Sequence, residues 1–166
     1  MKNNKRNTFD RKKFGIKTMY FNRYLLVRYV LALFFFSNLY WLLALLLSSS
    51  HLFFIPLILI VFLISSGIEQ VKIFNAHTSN AIYTKLCFII MFSTNIILIL
   101  TTYFNFTFLN LYPFLVNKLS SKVLVSFILF IGIFLSYVVL KRLYKIKNNR
   151  DRQYKRIKQY EKAINL

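Results

Sequence analysis

Cysteine, histidine and carboxylate are all scarce in this chain, and each scarcity removes a class of chemistry. Cys87 is the only cysteine, so neither an intramolecular disulfide nor a thiolate metal cluster can form. His51 and His77 are the only histidines, and four carboxylates serve all 166 residues. That supply gives no reason to expect a metal site or a cofactor. No H-E-x-x-H, no G-x-S-x-G and no paired aspartates occur, and those are patterns by which hydrolases are recognised in a sequence. His77 could be imagined as a phosphorylated or general-base histidine. Catalysis would require a group to orient or activate it, and no motif supplies one. The expectation is that the protein is not an enzyme.

What the chain has in abundance is oil and positive charge. Hydrophobic residues make up 57%, aromatics 19%, and the formal net charge is +19, too oily for an ordinary soluble domain. Such a charge can mark a nucleic-acid binder, but that reading needs a basic face on a folded soluble domain. Here nine of the 23 Lys and Arg residues lie at or before Arg28, ten at or after Lys141, and four between. Nucleic acid is therefore not an expected partner. Two basic tails around an oily middle are the pattern of a multi-span membrane protein with both termini cytoplasmic.

Four windows are apolar enough to cross a hydrocarbon core of about 30 Å, which takes roughly 17–25 helical residues. They cover about 24–47, 52–68, 81–104 and 123–140. Inside lipid only a helix satisfies the backbone of one such segment. The fold class expected is an all-α membrane protein, four transmembrane helices in an antiparallel bundle. Basic cytoplasmic tails at 1–23 and 141–166 flank it, the second expected to be a helix that continues the fourth span. The first apolar run is too long for a signal-peptide core of about 7–15 residues and is read as retained. Ser48-Ser49-Ser50-His51 makes a tight outer hairpin. The loop Asn105–Lys122, rich in Phe and Leu and bent at Pro113, is expected to lie along the outer interface. Lys118 and Lys122 there are outnumbered by the tails.

Few residues stand out within the spans. Asn38 and Asn95 fall near mid-membrane on the first and third, where an amide usually faces another helix. An interhelical bond between them is expected over a polar patch in a substrate path. Gly132 and Ser136 stand four apart on the fourth span, the spacing that lets helices approach closely, and are read as packing within the bundle. Glu69, at the inner end of the second span, is the only acid between Asp10 and Asp151. It is read as a solvated helix end pairing with Lys72 or Arg28, against a coupling or docking role. In the C-terminal tail Lys141, Arg142, Lys145, Lys147, Arg150, Arg152, Lys155, Arg156 and Lys158 are candidates for anionic-lipid binding, since basic segments beside a bilayer are drawn to acidic headgroups.

Three stretches carry a family resemblance: Phe14-Gly15-Ile16-Lys17-Thr18, Tyr24-Leu25-Leu26-Val27-Arg28-Tyr29, and Phe34-Phe35-Phe36-Ser37-Asn38-Leu39-Tyr40-Trp41. Together they cover the first third of the chain. It resembles small uncharacterised multi-pass membrane proteins of low-GC Gram-positive bacteria, some labelled phosphotransferase-system (PTS) cellobiose subunits. The resemblance implies a bacterial cytoplasmic-membrane protein. It transfers no functional residue, because the soluble PTS subunits use a phosphohistidine or a cysteine in other folds and the permeases are far larger. The leading expectation is a non-enzymatic accessory protein that binds a membrane-protein partner or anionic lipid. The alternatives are a subunit of a transport system, such as a small exporter or a sugar-permease accessory, and an immunity-type membrane protein.

Overall fold

The computed structural model describes residues 15–16, 18–76 and 80–165. His77 lies outside them. Residues 18–23 are helical and lead into α1 (Leu25–Leu47). A short 3-10 turn (His51–Phe53) and α2 (Phe54–Ala76) follow, then α3 (Ile82–Thr102), α4 (Asn105–Leu111), α5 (Leu119–Lys147) and α6 (Arg152–Asn165). Among the described residues there is no strand. Four helices, α1, α2 with its leading turn, α3 and α5, are long and apolar enough to cross a membrane. Their ends outrun the apolar windows: α2 continues past Ile68 to Ala76, and α5 runs from Leu119 to Lys147.

The reversal after α1 is built from serine. Ser49 takes a left-handed conformation with φ 51°. Its N–H then reaches the Leu46 carbonyl at 3.1 Å, and the Ser50 N–H reaches Leu45 at 3.1 Å. This pair of bonds satisfies carbonyls that a helix end otherwise leaves orphaned. The Ser50 side chain then accepts from the Leu52 N–H and starts the next turn.

Helix packing follows repeated spacings of four and three. Buried positions on α3 include Thr84, Phe88, Met91, Asn95, Leu98 and Thr102, with Cys87 beside Phe88. On α5 they include Gly132, Ser136, Val139, Leu143 and Ile146. On α2 they include Leu59, Leu63, Ser66, Gln70 and Ile73. A mean spacing of 3.5 residues keeps one seam facing a neighbour along a slightly supercoiled pair. The α3–α5 pair is the most extensive contact, α1 packs on α2 and α2 on α3, while α1 and α5 meet only lightly. The seams carry Ser, Thr, Asn and Gln, whereas Phe36, Tyr40, Ile97, Phe127 and Phe134 point outward. Lipid tails are as apolar as leucine, so close approach and polar pairing, rather than apolar contrast, must select the inner face.

Two connections take a more definite form than hydropathy gives. The segment after α3 is helical rather than a loop. It folds into α4, whose Phe108 and Leu111 are buried with Tyr112 against Leu98 and Val125. Trp41 Nε1 donates to the Leu111 carbonyl at 3.0 Å and Ser50 Oγ to Asn110 at 2.7 Å. Those bonds hold the segment over the end of the packed helices. The basic tail is helical: it continues α5 as far as Lys147 and then breaks. Asn149 adopts φ 52°, its N–H bonds Ile146 at 3.0 Å, and the Arg150 N–H bonds Lys145 at 2.9 Å. Asp151 then accepts from the Tyr154 N–H at 3.2 Å, an N-cap that starts α6 in a new direction.

Gly132 gives a direct test of the α3–α5 seam. A Cβ there would sit 2.9 Å from Asn95 Nδ2. Gly132→Ala should cost about 1–3 kcal/mol of overpacking, against at most about 1 kcal/mol gained in helix propensity. In an Asn95→Ala background the obstruction is gone and the same change should become neutral or stabilising. Thermal unfolding in mild detergent measures this coupling; equal effects of Gly132→Ala in both backgrounds would refute the contact.

Candidate functional site

The charged end of the molecule is organised by a residue that composition does not single out. Arg23, just before α1, is 2% exposed, and Asp151 is 1% exposed. They form a bidentate pair: Nη2 to Oδ1 at 2.7 Å and Nε to Oδ2 at 3.1 Å. Arg23 Nη2 also donates to the Ile146 carbonyl at 3.1 Å and to Asn149 Oδ1 at 3.0 Å. The Tyr154 ring lies 5.0 Å from the guanidinium. A buried ion pair repays its desolvation only when its remaining lone pairs and protons are also satisfied, and here Arg23 Nε and Nη2 and both Asp151 oxygens have partners. Its consequence is positional. The corner at 148–151 is fixed, α6 is laid beside the N-terminal segment, and Ile157 becomes fully buried.

This docking spreads the cations. Lys141, Lys145, Lys147, Arg150, Arg152, Lys155, Arg156 and Lys158 are exposed. Arg142 differs: it is half-buried, and its Nη2 points to the Arg23 carbonyl at 3.5 Å. Lys141 and Lys158 lie over the Tyr137 and Tyr154 rings at 5.9 and 5.2 Å. The result is a basic collar carried by two helices rather than a loose tail.

Glu69 has a different partner from the one expected. Its carboxylate accepts from the Tyr83 N–H at 3.0 Å, the Thr84 N–H at 2.6 Å and Thr84 Oγ1 at 2.7 Å. It caps the first turn of α3, where unpaired N–H groups and the helix dipole favour an anion. Gln70 Nε2 adds a bond to Thr84 Oγ1 at 2.9 Å. Lys72 is exposed. Arg28 instead donates to the Gln70 carbonyl at 3.3 Å and stacks on Phe21 at 3.7 Å. Glu69 thus ties α2 to α3.

The intramembrane amides do not bond each other. Asn38 Nδ2 donates to the Phe34 carbonyl of its own helix at 2.8 Å, and Asn95 Nδ2 is buried over Gly132 without a partner. The expected bridge between α1 and α3 is absent because the backbones of those two helices are not packed against each other; α2 and α5 are the spans beside α3. Asn38, Asn95 and Gly132 instead line one cleft of about 650 Å³ between α1 and α5, with α3 behind it. Trp41 and Tyr112, stacked at 5.9 Å and 18°, sit at its end away from the basic collar. Burial pushes the Tyr112 hydroxyl well above its ordinary pKa, opposed by a hydrogen bond with Thr102. Ser136 is fully buried and belongs to the α5 seam.

Among the described residues no three His, Cys, Asp or Glu side chains come together. No protein-family model, curated protein or solved structure matches this chain. Sequence reasoning missed the roles of Arg23 and Asp151. The signal available was local: Asn-Asn followed two residues later by Asp is a helix stop followed by a helix start.

Removing one member of the pair should leave a buried charge unmatched, at a cost of about 3–5 kcal/mol. Asp151→Ala should therefore lower the melting temperature and open Lys155 and Lys158 to trypsin. Arg23→Lys should not restore stability, because an ammonium cannot reproduce the two-pronged contact. Unchanged melting and proteolysis in Asp151→Ala would show that the pair does not hold α6.

Proposed function

We propose that this protein is a non-enzymatic accessory component of the bacterial cytoplasmic membrane that engages anionic lipid through its basic collar. In this reading the four spans form an antiparallel bundle, and both termini face the cytoplasm. The observation that carries the reading is the docked α6, which holds Arg152, Lys155, Arg156 and Lys158 exposed beside the end of α5. A topology signal requires only that cations be present; it does not require a buried ion pair to fix them in place. Cations near an acidic leaflet contribute about 1 kcal/mol each. A membrane-protein partner with an acidic cytoplasmic surface would use the same collar. The transport alternative draws on the cleft between α1 and α5, whose wall includes Asn38 and Asn95. That wall carries no charged side chain, and a transport path normally uses such groups.

The test uses the full chain in mild detergent. Added phosphatidylglycerol should raise the melting temperature more than phosphatidylcholine does. The difference should vanish at 1 M salt, where the Debye length is about 3 Å, and should fall by at least half in Lys155→Gln/Arg156→Gln/Lys158→Gln. Equal stabilisation by both lipids, or an unchanged response in the triple variant, would overturn the proposal. A reporter fused to the C-terminus should read cytoplasmic; an exterior signal would overturn the orientation.

A further inference from the structure

Charge at the collar end does not balance within the protein. The carboxylates whose side chains are described are Glu69 and Asp151. Both oxygens of each are already engaged. Asp151 accepts from Arg23 and from the Tyr154 N–H, and Glu69 accepts from the first turn of α3. Among the described residues Arg23 and Asp151 form the one salt bridge. Fully exposed cations are satisfied by water and mobile counter-ions. Arg142 is not in that position.

A guanidinium carries five N–H donors and no acceptor. Arg142 is half-buried, and its Nε is shut off from solvent without an acceptor. Its one bond, from Nη2 to the Arg23 carbonyl, lies at 3.5 Å, beyond the usual range for a strong contact. Nη1 is neither bonded nor shut off, so it is the open corner of the fork. A partly dehydrated cation attracts an anion more strongly than a fully hydrated one, because the local dielectric is lower. The protein supplies no such anion here, so it must come from outside.

Depth and neighbours indicate which anion. Arg142 stands two residues past Leu140, where the fourth apolar window ends, about 3 Å further along the axis. That is headgroup level. Lys145 follows three residues on, a spacing that puts it on the same helix face, and it is exposed. One planar fork and one point charge lie a turn apart, a pairing suited to phosphate oxygens. The contact with the Arg23 carbonyl aims the guanidinium across α5 toward the start of α1.

We propose that Arg142 and Lys145 hold the phosphate of one anionic phospholipid from the leaflet beside the collar. This rests on the reading that the collar faces acidic lipid and adds to it a discrete site. The cations of α6 attract headgroups diffusely, whereas Arg142 selects a single one.

Native mass spectrometry of the full chain in mild detergent, titrated with phosphatidylglycerol, tests this. The wild type should keep one phosphatidylglycerol after the detergent is stripped. Arg142→Met preserves the apolar stem while removing the charge, and should bind that lipid about tenfold more weakly, the scale of one lost charge-assisted bond. Phosphatidylcholine carries its phosphate beside a quaternary ammonium that neighbouring cations repel, and should be held more weakly. Lys155→Gln/Arg156→Gln/Lys158→Gln should keep the retained lipid, so failure of the diffuse collar and failure of this site give different results. In lipid-free detergent Arg142→Met should melt no lower than the wild type, because no protein anion is left unmatched. A lower melting temperature there, or unchanged retention in Arg142→Met, would overturn the proposal. Inorganic phosphate retained as firmly as the lipid would overturn the lipid as the source of the phosphate.

Discussion

The buried pair between Arg23 and Asp151 joins residues 128 positions apart and determines what the charged end of the molecule presents. In its absence α6 would be a strongly basic helix, with Ile157 as a buried anchor, attached by a four-residue corner. With it, the corner, the N-terminal segment and the end of α5 share one network through Ile146 and Asn149. The energetic logic is asymmetric. A buried ion pair adds little over an apolar replacement of the same shape, but a broken one is costly. The pair thus specifies one docking geometry rather than supplying bulk stability.

The apolar part of the fold obeys a different rule. Its helices are apolar on every side, so their orientation cannot come from hiding oil from water. It comes from small and polar residues in seams: Gly132 against Asn95, Thr84 with Gln70 and Glu69. Where α1 and α5 lack such a seam they separate, and the cleft results. Glu69 shows how the two rules meet. A lone carboxylate at a membrane boundary is stabilised by helix N–H groups, and in satisfying them it fastens two spans together.

Much of the architecture was legible in composition. Apolar runs of sufficient length force helices, and the four long helices follow the four runs. The alternating four and three spacing of Thr84, Phe88, Met91, Asn95, Leu98 and Thr102 was also present, but hidden by equally apolar neighbours on the lipid side. The site was less legible. Asn38 and Asn95 were found as unusual residues, yet their partners depend on helix rotation, which hydropathy does not encode. Glu69 was paired with nearby bases because sequence proximity suggests Coulomb partners, while backbone N–H groups at a neighbouring helix start carry no sequence label. Arg23 looked like one of nine similar cations. Its role depends on a contact 128 residues away that no local pattern reports.

Hydrogen exchange of the α6 amides in the full chain bears most directly on the claim that this helix is fixed to the end of the packed spans. Local opening free energy sets the protection of each amide. If the Arg23–Asp151 lock carries about 3 kcal/mol, amides from Tyr154 to Lys158 should exchange about a hundredfold more slowly than in an unstructured chain. Exchange at the unstructured rate there, with α3 still protected, would contradict the account.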